Sequence, residues 1–597
     1  MFVWTDKELN EEQSAVVRDN DNILLVACPG SGKTRTLTYK VANELSKLDS
    51  HKKFVIAITY TNRAANEIKE RIELLGVPTD QLWIGTIHSF CNEWILKPYS
   101  SLLEKLKFGY RIMDANESEN LLNDICAAYQ KPRISSWDCG HYASINGIVQ
   151  VTNSGYKYDN VSAALQSYFT YLNEHNFISY ELILLYAHKL LEENPIISNT
   201  LSKLFEIILV DEYQDTKEIQ YHIISKIWNS AQGNTRALIV GDPNQTIYGG
   251  LGGYPIKKEE LEALSGLEFK RLELEQNYRS SVSIVNYFDN YKTIENSVVA
   301  SGNEKDYVSV ISFNNQVHVD NLVKEMSRLL RYNIEELGID PNEICILGPQ
   351  WIHLASISRS LMIELPEYSF NGPGMAPFSR DLDNFWYKLS RIVLTEASPN
   401  MYLRRLRWAS EVLRDLEDSG YNVDSINHKL ILRICNGIYI EESNGLLYLE
   451  SFFVSFLEEL GIDLSTNVSL TESFTSFFDS SKKRIERIKN DGNDFIEHID
   501  SFKKVFQQKE GTTISTIHGV KGAEFDTVIA FGLLEGYVPH FMDANGVESA
   551  KRLLYVIGSR ARKNLHLISE TGRKNRQNQL YYPTNVLSQV VHQYDEI

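Results

Sequence analysis

Separate stretches of the chain carry side chains suited to holding and cleaving a phosphate chain. In "NILLVACPGSGKT" the apolar run Ile23 to Val26 enters a loop of small residues, Ala27, Cys28, Pro29, Gly30, Ser31 and Gly32. Lys33 and Thr34 then open a segment of helical character. A bound phosphate chain needs backbone amides at close range, the positive end of a helix, a lysine for its outer phosphates and a hydroxyl for magnesium. This loop supplies all four. Ala27 stands where the usual pattern has glycine, a departure that leaves the turn at Gly30 and Gly32 intact. In "FEIILVDEYQDT" a second apolar run ends in Asp211 and Glu212. Magnesium on a triphosphate takes a carboxylate, and hydrolysis needs a second acid to position the attacking water. Asp211 fits the first role and Glu212 the second. The guanine-reading pattern Asn-Lys-x-Asp is absent, which favours ATP.

Two more stretches bring arginine. "LELEQNYRSS" has an alternating apolar run before Tyr278 and Arg279, and in "RLLYVIGSRARKNL" the strand-like "LLYVI" leads to Arg560. Phosphoryl transfer is catalysed mainly by positioned charge, and an arginine that reaches the γ-phosphate contributes about a thousandfold or more. A further stretch, "GDPNQTIYGGLGGYP", follows the apolar "ALIV" and delivers an acid, a glutamine and a tyrosine to a loop that dissolves into glycines around Leu251.

The rest of the chain constrains the setting of these residues. At 597 residues the chain exceeds a single core, and about 150 residues per domain predicts roughly four compact units. No apolar run approaches the ~18 residues of a membrane span, and the acidic start "MFVWTDKELNEEQ" is no secretory signal, so a soluble, cytoplasmic protein without a membrane partner is expected. Six scattered cysteines, with no paired spacing or Cys/His cluster, read as reduced thiols. The formal net charge of -18 argues against a basic exterior that coats nucleic acid, while leaving room for a local groove. The basic clusters at Arg404, Arg405 and Arg407, at Lys482, Lys483, Arg484 and Arg487, and at Arg573, Lys574 and Arg576 read as solvated faces.

Taken in order, "LNEEQSAVV", "ACPGSGKT", "ITYTNRAANEIKERI", "GTIHSFC", "ILVDEYQDT", "VGDPNQTIY", "LEQNYRSS", "TIHGVKGAEFDTV" and "YVIGSRAR" span nearly the whole chain, and the set resembles the superfamily 1 helicases of the UvrD/Rep type. The resemblance implies an α/β fold of two RecA-like P-loop motor domains, parallel sheets flanked by helices, each with a mainly helical insertion. On that reading residues 1–95 and 196–280 form the first motor domain and 96–195 its accessory domain. Residues 281–389 and 509–597 form the second motor domain and 390–508 its accessory domain. Apolar spacing at three and four supports helices in "FGYRIMDANESENLL", "FISYELILLYAHKLLEENP", "LYLESFFVSFLEELGI" and "DFIEHIDSFKKVF", and "EICILGP" reads as an interior strand.

The same resemblance implies roles residue by residue. Gln13 reads the adenine edge, Arg35 and Tyr278 flank the base, Lys33 serves the phosphates, and Thr34 and Asp211 hold Mg2+. Gln245, Arg279 and Arg560 sense the γ-phosphate and Glu524 approaches the ribose. Single-stranded DNA, presented alone or as the tail of a duplex, is the track. Tyr60 and Tyr248 would stack bases, Thr61 and Asn62 would touch the backbone, and Thr86, His88, Thr516 and His518 lie in the paired "TIH" turns. After "QTIY" the family usually continues with a small or polar residue, then an aromatic and an arginine, whereas this chain has Gly249, Gly250 and Leu251, which implies a looser grip on DNA. The resemblance implies 3′ to 5′ movement. No acid-and-lysine nuclease cluster is evident and no fused C-terminal nuclease is expected. The alternative is a DNA- or nucleotide-sensing ATPase that controls a separate nuclease, similar to the helicase-like component of the Gabija antiphage system. DNA repair and replication restart are the other settings.

Overall fold

The computed structural model describes residues 2–152, 155–231, 234–247, 252–372, 376–378, 381, 384–423, 425–490, 494–506, 510–541, 543, 545–575 and 577–597. The chain divides into two compact units, Met1–Leu329 with Ile517–Ile597, and Leu330–Thr516.

The first unit is built on a six-stranded sheet. Its order is Lys270–Leu274, Ile23–Ala27, Arg236–Gly241, Phe205–Asp211, Phe54–Thr59 and Leu82–Thr86, and every pairing is parallel. The central strands read as continuous apolar runs because both faces are covered. Ile23 and Leu25 enter one core with Leu37 and Val41 of the helix Lys33–Lys47 and Ile68 and Ile72 of the helix Asn62–Leu74. Leu24 points to the opposite core, with Ile56, Phe90 and Ile208. The strand order sets the C-terminal ends of three central strands side by side, with Val26 opposite Gly241 and Val240 opposite Asp211. In an open parallel sheet this edge is where ligands bind.

The segment between Thr86 and Phe205 is helical over Ala115–Cys126, Tyr158–Glu174, Tyr180–Glu193 and Pro195–Leu204, and the first and third of these lie in the two stretches whose spacing predicts helix. Two parts differ from expectation. The start of "FGYRIMDANESENLL" is extended, and Arg111–Ile112 pairs with Phe177–Ile178, because the Asp114–Glu117 capping box fixes the helix start at Ala115. His141–Ser144 and Gly147–Gln150 form an antiparallel hairpin whose turn closes at Gly147, with a φ of 123° that a side chain would resist.

Later in the same unit, Ile311–Asn314, Ala561–Ile568 and Phe525–Ala530 pair in parallel, with Ile311 opposite Leu565 and Thr527 opposite Asn564. The strand expected at "LLYVI" is instead part of the helix Gly546–Ser559. Its buried residues Ala550, Leu554, Tyr555 and Gly558 recur at helical spacing. A Cβ at Gly558 would stand 2.7 Å from the Phe288 Cβ, so this glycine lets the helix lie close on the helix Val282–Asp289.

In the second unit Ile344–Gly348 is buried throughout, as "EICILGP" predicts, and pairs in parallel with Thr512–Thr516, which pairs in turn with Phe370–Asn371. Its helices Phe385–Val393, Tyr402–Asp418, His428–Gly437, Gly445–Leu460 and Val468–Asn490 enclose Trp386, Phe453, Phe477, Phe478 and Phe502. The basic clusters are not all solvated: Arg573 pairs with the buried Glu570, and Arg484 donates to the Ala376 carbonyl at 2.7 Å. Arg405 is buried, where it donates to the Asn436 side-chain oxygen at 2.7 Å and the Ile392 carbonyl at 3.2 Å. All six cysteines are free thiols. Among the described residues no helix is long and apolar enough to cross a membrane.

Trp228 lies fully buried in the core beneath the sheet. Trp228→Ala is expected to lower stability by about 3–5 kcal/mol in urea denaturation, the usual result of emptying so large a site.

Candidate active site

The phosphate loop is held open by its neighbours. Gly30 and Gly32 take φ of 70° and 77°, the left-handed region where glycine is tolerated without strain. The Asn277 amide donates to the Pro29 carbonyl at 2.7 Å and the Tyr278 N–H to the Gly30 carbonyl at 2.9 Å, tying the arginine-bearing segment to the loop. A Cβ at Gly30 would lie 2.6 Å from the Arg279 Cβ. Gln13 is buried. It closes the capping box of the helix Glu11–Arg18 and donates to the Ser31 carbonyl at 2.8 Å. Ala27, Cys28, Pro29 and Ser31 are buried, Thr34 is half-buried at the start of its helix, and Arg35 is exposed. Tyr278 accepts from the Asn10 amide at 2.6 Å.

At the adjacent strand end the charges converge. Lys33 forms an ion pair with Glu212 and lies 3.5 Å from Asp211. Glu212 has a left-handed backbone, φ 56° and ψ 45°, which costs a residue with a Cβ about 1–2 kcal/mol and turns its side chain back over the phosphate loop's lysine. Burial pushes the Glu212 carboxyl up, but Lys33, Lys521 and the Gln214 amide more than offset it and hold the acid below its ordinary range. Burial raises the Asp211 carboxyl despite Lys33. Burial opposes the charge on Lys33, and the two acids restore it and lift the ammonium above its usual value. The Asp242 carboxyl, buried at the head of the next strand's loop, is pushed up to about 6 by burial.

Distant segments supply the remaining cations. Arg560 is fully buried, with its guanidinium on the Gln245 side-chain oxygen and 3.2 Å from the Ala523 carbonyl. Burial first and Arg279 second lower it to about 9. Arg279 donates to Glu524 at 2.6 Å and to the Ser559 carbonyl at 2.7 Å. Gln245 donates in turn to Asp242 at 2.8 Å. The six residues read from the sequence as catalytic, Lys33, Asp211, Glu212, Gln245, Arg279 and Arg560, therefore belong to one network spanning 528 positions of chain (560 less 33, counted inclusively). Four partners were not singled out by sequence reasoning: Gln214, Asp242, Asn277 and Lys521. Asp242 and Lys521 stood inside recognised stretches and could have been found there. Gln214 and Asn277 also stand in quoted stretches, but their contacts, to the Glu212 carboxylate and to the Pro29 carbonyl, appear only in the folded geometry.

Residues expected at the strand are divided. Tyr60 is exposed at the end of its strand, while Thr61 and Thr86 cap the helices that follow them, accepting from the N–H groups of Ala64 at 3.2 Å and Ser89 at 3.3 Å. Asn62 begins the first of those helices. His88 is lowered to about 4 by burial and His518 is lowered for the same reason, so both rings are neutral near pH 7. Thr516 ends its strand in the second unit. Tyr248, with Gly249, Gly250 and Leu251, lies outside the described residues.

Among the described residues no group of three or more His, Cys, Asp or Glu side chains could cage a metal. Magnesium usually takes one or two carboxylates and completes its shell with phosphates and water, and Asp211, buried at its strand end, is a carboxylate of that kind. The Lys33 ammonium already stands as a cation beside Asp211, so the donors fit a divalent ion brought with the nucleotide.

Comparison with known proteins agrees with this geometry. A family profile described as UvrD/REP helicase N-terminal domain matches residues 9–255, and one described as UvrD-like helicase C-terminal domain matches 461–572. The ATP-dependent DNA helicase PcrA of Staphylococcus epidermidis is 23% identical over 634 residues, covering 95% of this chain and 84% of the relative. DNA helicase II of Rickettsia typhi is 26% identical over 625 residues, covering 95% and 92%.

Two outcomes follow from the site's packing and charge. Gly30→Ala is expected to cost about 1–3 kcal/mol in denaturation and to abolish nucleotide binding measured by fluorescent-nucleotide titration, since the new Cβ meets Arg279 in a left-handed turn. The Asp242 carboxyl titrates near 6 in the fold against an ordinary value of 3.8, so its burial penalises the folded state above pH 6. The penalty falls as pH drops through 6 and vanishes below the unfolded value. Between pH 7 and 4, Asp242→Asn is expected to lack the gain of roughly 2–3 kcal/mol that this group gives the parent, as read from denaturation curves across pH.

Proposed function

The chain belongs to the UvrD/Rep-type superfamily 1 helicases, and from that premise we propose that it is an ATP-dependent DNA helicase that moves 3′ to 5′ along single-stranded DNA. The observation that carries this reading is the convergence of the phosphate loop, the Asp211–Glu212 pair and two arginines from distant segments on one charged cluster.

In this mechanism, residues 1–95 and 196–280 act as the first motor domain and 281–389 with 509–597 as the second, carrying accessory domains 96–195 and 390–508. Gln13, Arg35 and Tyr278 receive the adenine, Glu524 approaches the ribose, and the amides of the Ala27 to Gly32 loop take the phosphates. Thr34 and Asp211 would hold Mg2+, which neutralises phosphate charge when bound. Nucleotide entry draws the Lys33 ammonium from Glu212 to the phosphates, since the polyanion offers it the stronger partner. Glu212, released, accepts the proton of the attacking water. Arg560 and Arg279 stabilise charge on the γ-phosphate, and Gln245 reports its loss to the loop that follows. Tyr60 and Tyr248 stack bases, Thr61, Asn62, Thr86 and Thr516 meet the backbone, and neutral His88 and His518 pack beside it without charge.

Lys33→Ala is expected to abolish ATP turnover while leaving the fold intact by circular dichroism; normal turnover would remove the site assignment. Arg560→Ala should keep nucleotide binding and slow hydrolysis by about a thousandfold. On matched duplexes with a 3′ or a 5′ single-stranded tail, the purified chain is expected to release strand only from the 3′-tailed one. DNA-stimulated hydrolysis without release from either would favour the sensor reading, in which a separate nuclease supplies the output.

A further inference from the structure

The short segment Lys521 to Glu524 touches each charged centre of the site. The Ala523 carbonyl accepts from Arg560 at 3.2 Å, and Glu524 accepts from Arg279 at 2.6 Å. Lys521 reaches the acids. Its ammonium lies 3.4 Å from the second carboxylate oxygen of Glu212 and forms an ion pair with Asp215. Asp215 is fully buried on the turn after Glu212, and neither of its oxygens has a hydrogen-bond partner apart from that ion pair. The same ammonium stands 4.9 Å from the centre of the Tyr60 ring, whose residue is 40% exposed at the strand's end. One cation thus contacts the acid proposed to position water and the aromatic proposed to seat a base. Nothing in the reading of the sequence gave Lys521 a role.

We propose that Lys521 is a positioning residue that makes hydrolysis depend on the strand: it restrains Glu212 until a base seated on Tyr60 displaces the ammonium from that ring. The argument is one of competition. An aromatic ring attracts a cation and a stacking base through its π face, so a base on Tyr60 and the Lys521 ammonium contend for the same group. Asp215 keeps the lysine in place meanwhile, because a buried carboxylate without a cation is strongly unfavourable. Lys33 leaves Glu212 when phosphate arrives, whereas Lys521 stays paired with Asp215 and remains as the second restraint. Both ammonium groups and the Gln214 amide together take most of the acceptor positions of the Glu212 carboxylate, which leaves little of it to position a water. The segment's other contacts, to Arg560 and Arg279, tie the lysine's position to the arginines that meet the γ-phosphate.

The inference rests on the proposed ATP hydrolysis and on Tyr60 as a strand contact, and the experiment separates the two levels. ATP turnover is measured with and without saturating oligo-dT for the full-length parent, Lys521→Met, Lys521→Arg, Tyr60→Leu and the double variant Lys521→Met with Asp215→Asn. The double variant removes the buried carboxylate charge that a lone Lys521→Met would leave unpaired. In the parent, stimulation by oligo-dT supports the underlying reading; turnover that DNA leaves unchanged overturns both levels. In Lys521→Met and in the double variant, turnover without DNA is expected to rise and the stimulation ratio to fall by about tenfold. Lys521→Arg should recover most of the ratio, since it restores the cation, and Tyr60→Leu should lose stimulation even at saturating DNA. Parent-like stimulation ratios in the double variant and Tyr60→Leu, with turnover lowered equally in both conditions, would overturn the proposal and leave the helicase reading standing. Turnover absent from the double variant under both conditions would also overturn it, because a restraint is not required for the chemistry.

Discussion

The site depends on an ion pair between two charges brought together against the cost of burying them, the Lys33 ammonium and the Glu212 carboxylate. Each has been stripped of most of its water, and removing either would leave the other uncompensated in a low-dielectric setting. The sequence distance between them is bridged by the sheet order, which sets the strand ending in Ala27 beside Arg236–Gly241 and that strand beside Phe205–Asp211. The left-handed turn at Glu212 then aims the acid back across that edge. Such strain persists only where the surroundings over-determine it, and here Lys33, Lys521 and Gln214 all hold the same carboxylate.

This arrangement sets the Lys33 cation between two acids at the edge of the phosphate loop, where in the proposed mechanism phosphate and metal charge compete for it. In the proposed mechanism the pair is a reversible stopper: a triphosphate offers the lysine several charge-assisted bonds, and the acid is freed in the act of binding. Arg560 and Arg279 are held in the same provisional way, on Gln245 and on Glu524 and the Ser559 carbonyl, by partners weaker than a phosphate. On that mechanism binding energy is directed into replacing these partners.

The phosphate loop was legible in the sequence because its chemistry is local: small residues, a lysine and a hydroxyl between strand and helix, all adjacent in the chain. The α/β class with parallel sheets was legible through the family resemblance of the ordered motifs, not through periodicity alone. The misreadings have physical reasons. "LLYVI" is β-prone by composition, yet the helix Gly546–Ser559 is favoured because Gly558 permits close packing on Phe288. The hairpin at 141–150 escaped notice because its strands are short and half-buried, with little alternation to reveal them. Arg405 read as solvated because a run of arginines carries no sign of which one turns inward to a carbonyl and an amide. Lys521 was visible as a residue but not as a contact, since nothing in the spacing tells that residue 521 meets residues 60, 212 and 215.

In the proposed mechanism nucleotide binding must break the Lys33–Glu212 pair. The most direct test is a crystal structure of the full chain with a non-hydrolysable ATP analogue and Mg2+. The account predicts the Lys33 ammonium on the phosphates and the Glu212 carboxylate turned toward a water, with the pair broken. A structure in which nucleotide is bound in the phosphate loop while Lys33 remains on Glu212 would contradict it.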